Sequence, residues 1–250
     1  MKLPAKTTGI DCYLQEIVSL QTEVIAGQHS KLEMIAAQMA KTITQDGRIF
    51  IFGTGHSHMM AEEAFYRAGG LASVVPIFSS ALMLHEKPAL SSHLERTAGL
   101  ADVLLDSYQA QGNELIFIFT NSGVNRLPVE MAIQAKQRRL FVVAICSLEY
   151  ARKAPLSTLG KRIDQVADIT IDNGGHPGDA LLPIEGTPWR VGPSSTIIGA
   201  LIWNCLLSEC VELLNASGAP LPIFASLNMP GAQKHNQVLL NKWRKVNPHL

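Results

Sequence analysis

Arg48–His58 (RIFIFGTGHSH) and Leu115–Gly123 (LIFIFTNSG) share one arrangement: an apolar run, a short loop of glycine and hydroxyl residues, then the start of a helix-period pattern. Apolar runs that do not alternate with polar residues read as strands buried on both faces. Working outward, similar runs at Ser73–Phe78, Leu140–Ile145 and Ala167–Ile171 alternate with helical segments near His58–Ala68, Leu94–Gln111, Pro128–Arg138 and Ser195–Leu214. Strands separated by helices predict a parallel sheet covered on both sides, an α/β three-layer sandwich. The loops carry the chemistry. Backbone N–H groups at a helix start lack intrahelical partners and sit at the positive end of the helix dipole, so they favour an anion. Serine and threonine add donors there without adding charge.

Upstream, Leu14, Ile17, Val18, Val24 and Ile25, then Leu32, Ile35, Met39 and Ile43, recur at helical spacing and predict two helices broken near Gly27–Ser30. Asn173–Pro193 is rich in Gly and Pro and predicts a loop over the sheet edge. Gly218–Leu250, with Pro220, Pro222, Pro230 and Pro248, predicts an irregular tail closing on a short helix at Gln233–Trp243. The expected organisation is a helical extension over 1–46 serving dimerisation, an α/β domain over 47–215, and a tail over 216–250 packed on that domain.

The chain has 250 residues, 47% of them hydrophobic, enough for a sizeable core. Lys plus Arg equals Asp plus Glu at 21 each, so there is no basic surface for a nucleic-acid backbone. MKLPAKTTGIDCYLQ contains no long apolar stretch of the signal-peptide kind, and the expected location is the cytoplasm. Ile197–Leu207 is strongly apolar but contains Asn204 and is too short for a bilayer, which predicts a core or subunit-interface helix and no membrane partner. Cys12, Cys146, Cys205 and Cys210 lack CxxC spacing and predict buried thiols. The GxG of Gly53–Gly55 is not a dinucleotide fingerprint: His58 stands where a small residue is needed, and the second strand ends in Pro76–Ser80 without a carboxylate. With no GxxxxGK[ST] either, no organic cofactor is expected.

Gly53-Thr54-Gly55-His56-Ser57, Thr120-Asn121-Ser122-Gly123 and Gly192-Pro193-Ser194-Ser195-Thr196 follow one another on an alternating β/α chain. In this order they resemble the loops of the SIS (sugar isomerase) domain superfamily of phosphosugar-binding proteins, over roughly Ile35–Leu214. The resemblance implies a five-stranded parallel sheet in flavodoxin-like order, whose first and third strands are neighbours at the point where winding reverses. Ligands bind beside such a point, at the carboxyl ends of the strands. It also implies a sugar-phosphate ligand, with Gly55, Ser57, Thr120, Asn121, Ser122 and Asn125 at the phosphate and His58, Ser194, Ser195 and Thr196 at the sugar. Read without the resemblance, Ser57 and Ser122 are equally well helix N-caps.

Aldose–ketose interconversion needs a base, a means of opening the sugar ring and support for the enediolate. Glu62 and Glu63, one turn beyond the first loop, are the candidate bases, and Glu62 shares a helix face with His58. His85 and His235 are candidates for ring opening across a dimer interface, and His85-Glu86 and Glu95 lie in the connection after the second strand. Phosphoheptose isomerases of the superfamily bind zinc through a His and Glu on this helix with a Gln and His from the last long helix. Here that helix (TIIGALIWNCLLSEC) has no histidine, so no metal is expected. The resulting expectation is a sugar-phosphate isomerase working as a dimer or tetramer. A sugar-phosphate ether lyase or deglycase, and a non-catalytic phosphosugar-binding regulator, are the alternatives.

Overall fold

The computed structural model describes residues 8–250, so the first seven residues of the expected extension lie outside the described residues. The apolar runs form one parallel sheet from β1 (Ile49–Gly53), β2 (Val74–Pro76), β3 (Leu115–Phe119), β4 (Phe141–Cys146) and β5 (Ile169–Asp172). Its order is β2-β1-β3-β4-β5, the flavodoxin-like order. Successive residues point to opposite faces. Ile49, Ile51, Leu115, Phe117, Val143 and Ile145 enter one core, and Phe50, Phe52, Ile116, Ile118, Val142 and Ala144 enter the other. The first face is covered by α1 (Gly9–Thr44), α2 (Met59–Ala64) and α7 (Ser195–Ala216). The second is covered by α4 (Leu100–Ser107) and α5 (Arg126–Gln137).

The two expected N-terminal helices are one 36-residue helix with a kink at Gln28 (φ −131, ψ 15), inside the expected break. The kink has a partner. Gln28 Nε2 donates to Asp172 O (2.6 Å), Asp172 N donates to Gln28 Oε1 (2.8 Å), and Lys31 Nζ donates to Thr170 O (3.1 Å). Ile17, Val24, Leu32, Ile35, Met39 and Ile43 of α1 share the core of the sheet and α7, so this helix is a layer of the domain.

The helix expected over Leu94–Gln111 is the shorter α4, which starts only after Gly99, whose φ of 82 no right-handed helix accommodates, and α3 (Pro88–Leu94) precedes it where no helix was expected. The helix expected from His58 to Ala68 runs only over α2, because Phe65 is extended (φ −91, ψ 137). Two elements carried no periodic signal: α6 (Leu148–Lys153), capped by Ser147 Oγ accepting from Tyr150 N (3.0 Å), and the hairpin β6 (Leu182–Pro183) with β7 (Arg190–Val191) inside the glycine-rich segment. The tail forms α8 (Ala232–Trp243) as expected, buries Phe224, Leu240 and Trp243 with Ala72, and places Asn247 Nδ2 on Val74 O (3.0 Å). The apolar α7 satisfies a membrane-span test by length and composition, yet Ile198, Ile202, Trp203, Leu206, Cys210 and Leu214 are buried in the domain. Cys146 and Cys210 are free thiols that burial pushes up to about 12.

At the amino ends of β1 and β3, Arg48 and Glu114 are paired with side chains 9% and 8% exposed. Every Arg48 donor is used: Nε and Nη2 go to the carboxylate of Glu114, and the rest to Tyr108 O (2.8 Å), Gln109 O (2.9 Å) and Val246 O (3.1 Å). Removing one member leaves a buried charge uncompensated. Glu114→Ala is expected to destabilise the fold by about 3–5 kcal/mol, read as a lower urea midpoint at unchanged slope. A midpoint equal to that of the parent protein would contradict this placement.

Candidate functional site

Gly53 of β1 stands opposite Phe119 of β3, so Thr54 and Thr120 leave the sheet side by side, about 5 Å apart as adjacent strands are. The chain after Gly53 folds back tightly: a Cβ there would collide with the Ser57 carbonyl. Gly55 takes a φ of 57, and a 3₁₀ turn over Gly55–His58 follows. These steps bring Ser57 over the end of β3. The resulting cleft is lined by His56, Ser57, Thr120, Asn121, Ser195 and Thr196, with Met60 and Phe119 beneath and Asn173 at one side. The loops after β1 and β3 and the start of α7 thus meet in one crevice.

Neither candidate serine is a cap. Ser57 lies within the 3₁₀ turn, while the N-cap positions of α2 and α5 are His58 and Asn125, neither with a side-chain cap bond. Ser122 Oγ and Asn121 Nδ2 are buried without a hydrogen-bond partner, although Asn121 Oδ1 accepts from Asn173 Nδ2 (2.8 Å). Buried donors are normally satisfied, so the free Asn121 amide in the cleft points to a ligand that accepts, whereas Ser122, next along the loop, is outside the cleft lining. Asn125 is outside the cleft lining. Ser194 is fully buried behind the wall that Ser195 and Thr196 form.

A cavity of about 310 Å³ adjoins the cleft, with Gly55, His56, His58, Met59, Glu62, Met83, Leu84 and His85 around it. His56 borders both spaces. Glu62 faces this cavity with Oε1 3.6 Å from His58 Nδ1, whereas Glu63 is bonded to Arg67. His58 is 1% exposed, is stacked on Phe78 at 5.3 Å, and has no hydrogen bond at either ring nitrogen. Burial lowers its pKa from the ordinary imidazole value, with Glu62 opposing. His235 is elsewhere: its Nε2 is bonded to Ile223 O (2.8 Å), and Ile223 bridges to Leu71, ahead of the amino end of β2.

The sequence reading gave Asp179 and His249 no part and named Glu95 only as a residue of the connection after the second strand. The Thr54 hydroxyl is bonded to the Glu95 carboxylate, joining the first loop to the connection after α3. His249 packs on Phe78 at 5.0 Å and pairs with Tyr108 Oη (2.7 Å), so the tail supports the same ring that His58 stacks on. Asp179 binds the start of α7. These hydrogen bonds reach across 15 to 141 residues, and no local pattern marks the pairings. Among the described residues no group of three His, Cys, Asp or Glu side chains is arranged to hold a metal, and the start of α7 supplies hydroxyls where a zinc site would need imidazole. The zinc set of the resembled isomerases therefore does not fit one chain. Two further spaces lie away from the crevice: about 400 Å³ around the saturated Arg48, and an open groove of about 550 Å³ between α1 and α7.

A family model for the SIS domain matches residues 12–147. The chain belongs to the SIS-domain family. It is 38% identical over 242 residues to a UPF0309 protein of Geobacillus thermodenitrificans, covering 96% of this chain and 97% of that one. It is 40% identical over 245 residues to a UPF0309 protein of Caldanaerobacter subterraneus, covering 96% of this chain and 100% of its relative. Among solved structures, the fold is similar to phosphoheptose isomerase GmhA from Neisseria gonorrhoeae, with a TM-score of 0.54, 14% identity, and coverage of 83% of this chain and 97% of that one. A phosphoheptose isomerase from Francisella tularensis gives a TM-score of 0.55 at 12% identity, covering 82% of this chain and 100% of the other. At such identities the likeness is one of fold.

Burial lowers the pKa of His249 as well as that of His58. The unfolded chain therefore takes up protons at these imidazoles before the folded SIS domain does. Stability from this source is complete above about pH 6.5 and is lost as the pH falls from there through the lowered folded values. The melting temperature is expected to drop between pH 7.5 and 5.5, and to drop less in His58→Asn/His249→Asn. Scanning calorimetry showing the same acid sensitivity in that double variant would contradict the assignment.

Proposed function

We propose that this SIS-domain protein is a sugar-phosphate aldose–ketose isomerase with Glu62 as its base. The observation that carries this reading is that Glu62 and His85 border a cavity sharing His56 with a hydroxyl-lined cleft in which the buried Asn121 Nδ2 lacks a partner. Phosphate is held by the hydroxyls of Ser57, Thr120 and Ser122, the Asn121 amide and the N–H groups of the Gly55 turn, an uncharged cradle. The free space in the cleft is about 10 Å³, near what one water needs, so the cleft must widen to admit a phosphate.

The sugar extends into the larger cavity. His85 moves the proton that opens the ring, after which Glu62 removes the proton from C2 of the open aldose. The C2–H electron pair becomes the C1–C2 double bond, and the C1 carbonyl oxygen takes the charge as an enediolate. The proton of the C2 hydroxyl passes to O1, and Glu62 returns its proton to C1 as the C2 oxygen becomes the new carbonyl. Glu63, turned to Arg67, takes no part.

The protein works in the cytoplasm as a dimer or tetramer. Ile10, Leu14 and Val18 of α1 repeat every four residues and are 81%, 59% and 50% exposed, an apolar stripe suited to a second copy. In that assembly His235 reaches a crevice only from a neighbouring copy.

Glu62→Gln is expected to abolish both aldose–ketose conversion and solvent deuterium entry at C1 and C2 of a bound sugar phosphate, and Glu63→Gln to leave both within about threefold, as followed by NMR. Calorimetric binding with neither conversion nor exchange, for every aldose and ketose phosphate tried, would make the protein a phosphosugar-binding regulator instead. Ser57→Ala/Ser122→Ala should weaken sugar-phosphate binding by at least about tenfold, and unchanged affinity would remove the cradle. Leu14→Glu/Val18→Glu should sediment as a monomer at micromolar concentration where the parent does not; a monomeric parent would refute the stripe as an interface.

A further inference from the structure

Asp179 holds an unusual position. It follows Gly178 (φ 86) and itself takes a φ of 57, a region that aspartate enters more readily than most residues. Its carboxylate reaches the N-terminus of the 22-residue α7, where Oδ1 accepts from Ser194 N (3.2 Å) and Ser195 N (3.0 Å) and Oδ2 accepts from Ser195 Oγ (2.5 Å). The first turn of α7 has no acidic residue of its own, so Asp179 is the anion that meets its dipole. The segment carrying it is fixed on the far side, where Tyr13 Oη donates to Pro193 O (2.7 Å).

Ser195 is a wall of the ligand cleft, together with Thr196, Ser57, Thr120 and Asn121. A carboxylate only accepts, so the single hydrogen of the Ser195 hydroxyl is committed to Asp179. What Ser195 offers the cleft is lone pairs. It therefore has nothing to give a phosphate oxygen and is matched to a hydroxyl that donates. The helix terminus is partly taken up in the same way, since Asp179 holds the N–H groups of Ser194 and Ser195 and a second anion brought to α7 meets the Asp179 charge beside it.

We infer that Asp179 is a specificity determinant that restricts the cleft to phosphate esters of neutral polyhydroxyl sugars and rejects ligands with a second anionic group, either a carboxylate or a further phosphate. This rests on the sugar-phosphate reading of the cradle above. It adds which hydroxyls donate to phosphate and which one accepts from sugar.

Paired ligands test it: glucose 6-phosphate with 6-phosphogluconate, arabinose 5-phosphate with its aldonate, and fructose 6-phosphate with fructose 1,6-bisphosphate. Each is titrated into the full-length protein and into Asp179→Asn by calorimetry. Asparagine keeps an acceptor for the α7 N–H groups and tolerates the backbone, so the variant is expected to fold, as its melting curve will report. For the parent, the mono-anionic-head ligand of at least one pair should bind about tenfold or more tighter than its doubly anionic partner, and in Asp179→Asn the ratio should shrink to about threefold through tighter binding of the latter. Equal binding within every pair by the parent, or a ratio that Asp179→Asn leaves unchanged while only the melting temperature falls, would overturn the inference and leave the cradle standing. Failure of the parent to bind any of the six would overturn the cradle and this inference together. A cap without influence on specificity would move stability alone.

Discussion

The parallel pairing of β1 with β3 is the constraint on which the rest depends. Their bonds run in register from Ile49 and Leu115 to Gly53 and Phe119. A slip by one residue would turn Ile49, Ile51, Phe50 and Phe52 onto the wrong faces, exchanging two well-filled cores. The same slip would separate Thr54 from Thr120. The Arg48–Glu114 pair ties these two strands at their amino ends, five residues before the crevice opens. Structure is thus fixed at one end of the sheet, and chemistry is presented at the other.

The two ends treat polar groups in opposite ways. Arg48 spends every donor on a protein acceptor and leaves nothing for a ligand, despite a roomy cavity beside it. Around Ser122, Asn121 and His58 the accounting fails, with several buried donors or acceptors unmet. Unmet buried groups occur singly elsewhere, at Thr42, Ser73 and Trp243 among others, but those of Asn121 and His58 border the cleft and the adjoining cavity, where an outside molecule can supply the missing bonds.

The sheet was legible because its strands are apolar on both faces, so each run announced itself without help from distant residues. The turns after β1 and β3 were legible for a related reason: glycines and hydroxyls directly after a strand report a local turn. Adjacent carboxylates were not separable. Glu62 and Glu63 differ by one step of the helix, and only the position of Arg67 and the cavity at His58 decides which faces inward. Gly99 hid the late start of α4 because glycine also occurs inside helices, and its φ of 82 is visible only in three dimensions. The roles of Asp179, Glu95 and His249 come wholly from tertiary partners, to which periodicity is blind.

Both outer strands of the sheet are attended by side-chain amides. Gln28 donates to and accepts from Asp172 on β5 as a neighbouring strand would, and Asn247 takes the Val74 carbonyl of β2. These plugs use up peptide groups that would otherwise template another chain. At Asp172 and Val74 the sheet edges offer nothing for another copy to pair with. Assembly through α1 would stop at a finite size, where growth strand upon strand need not.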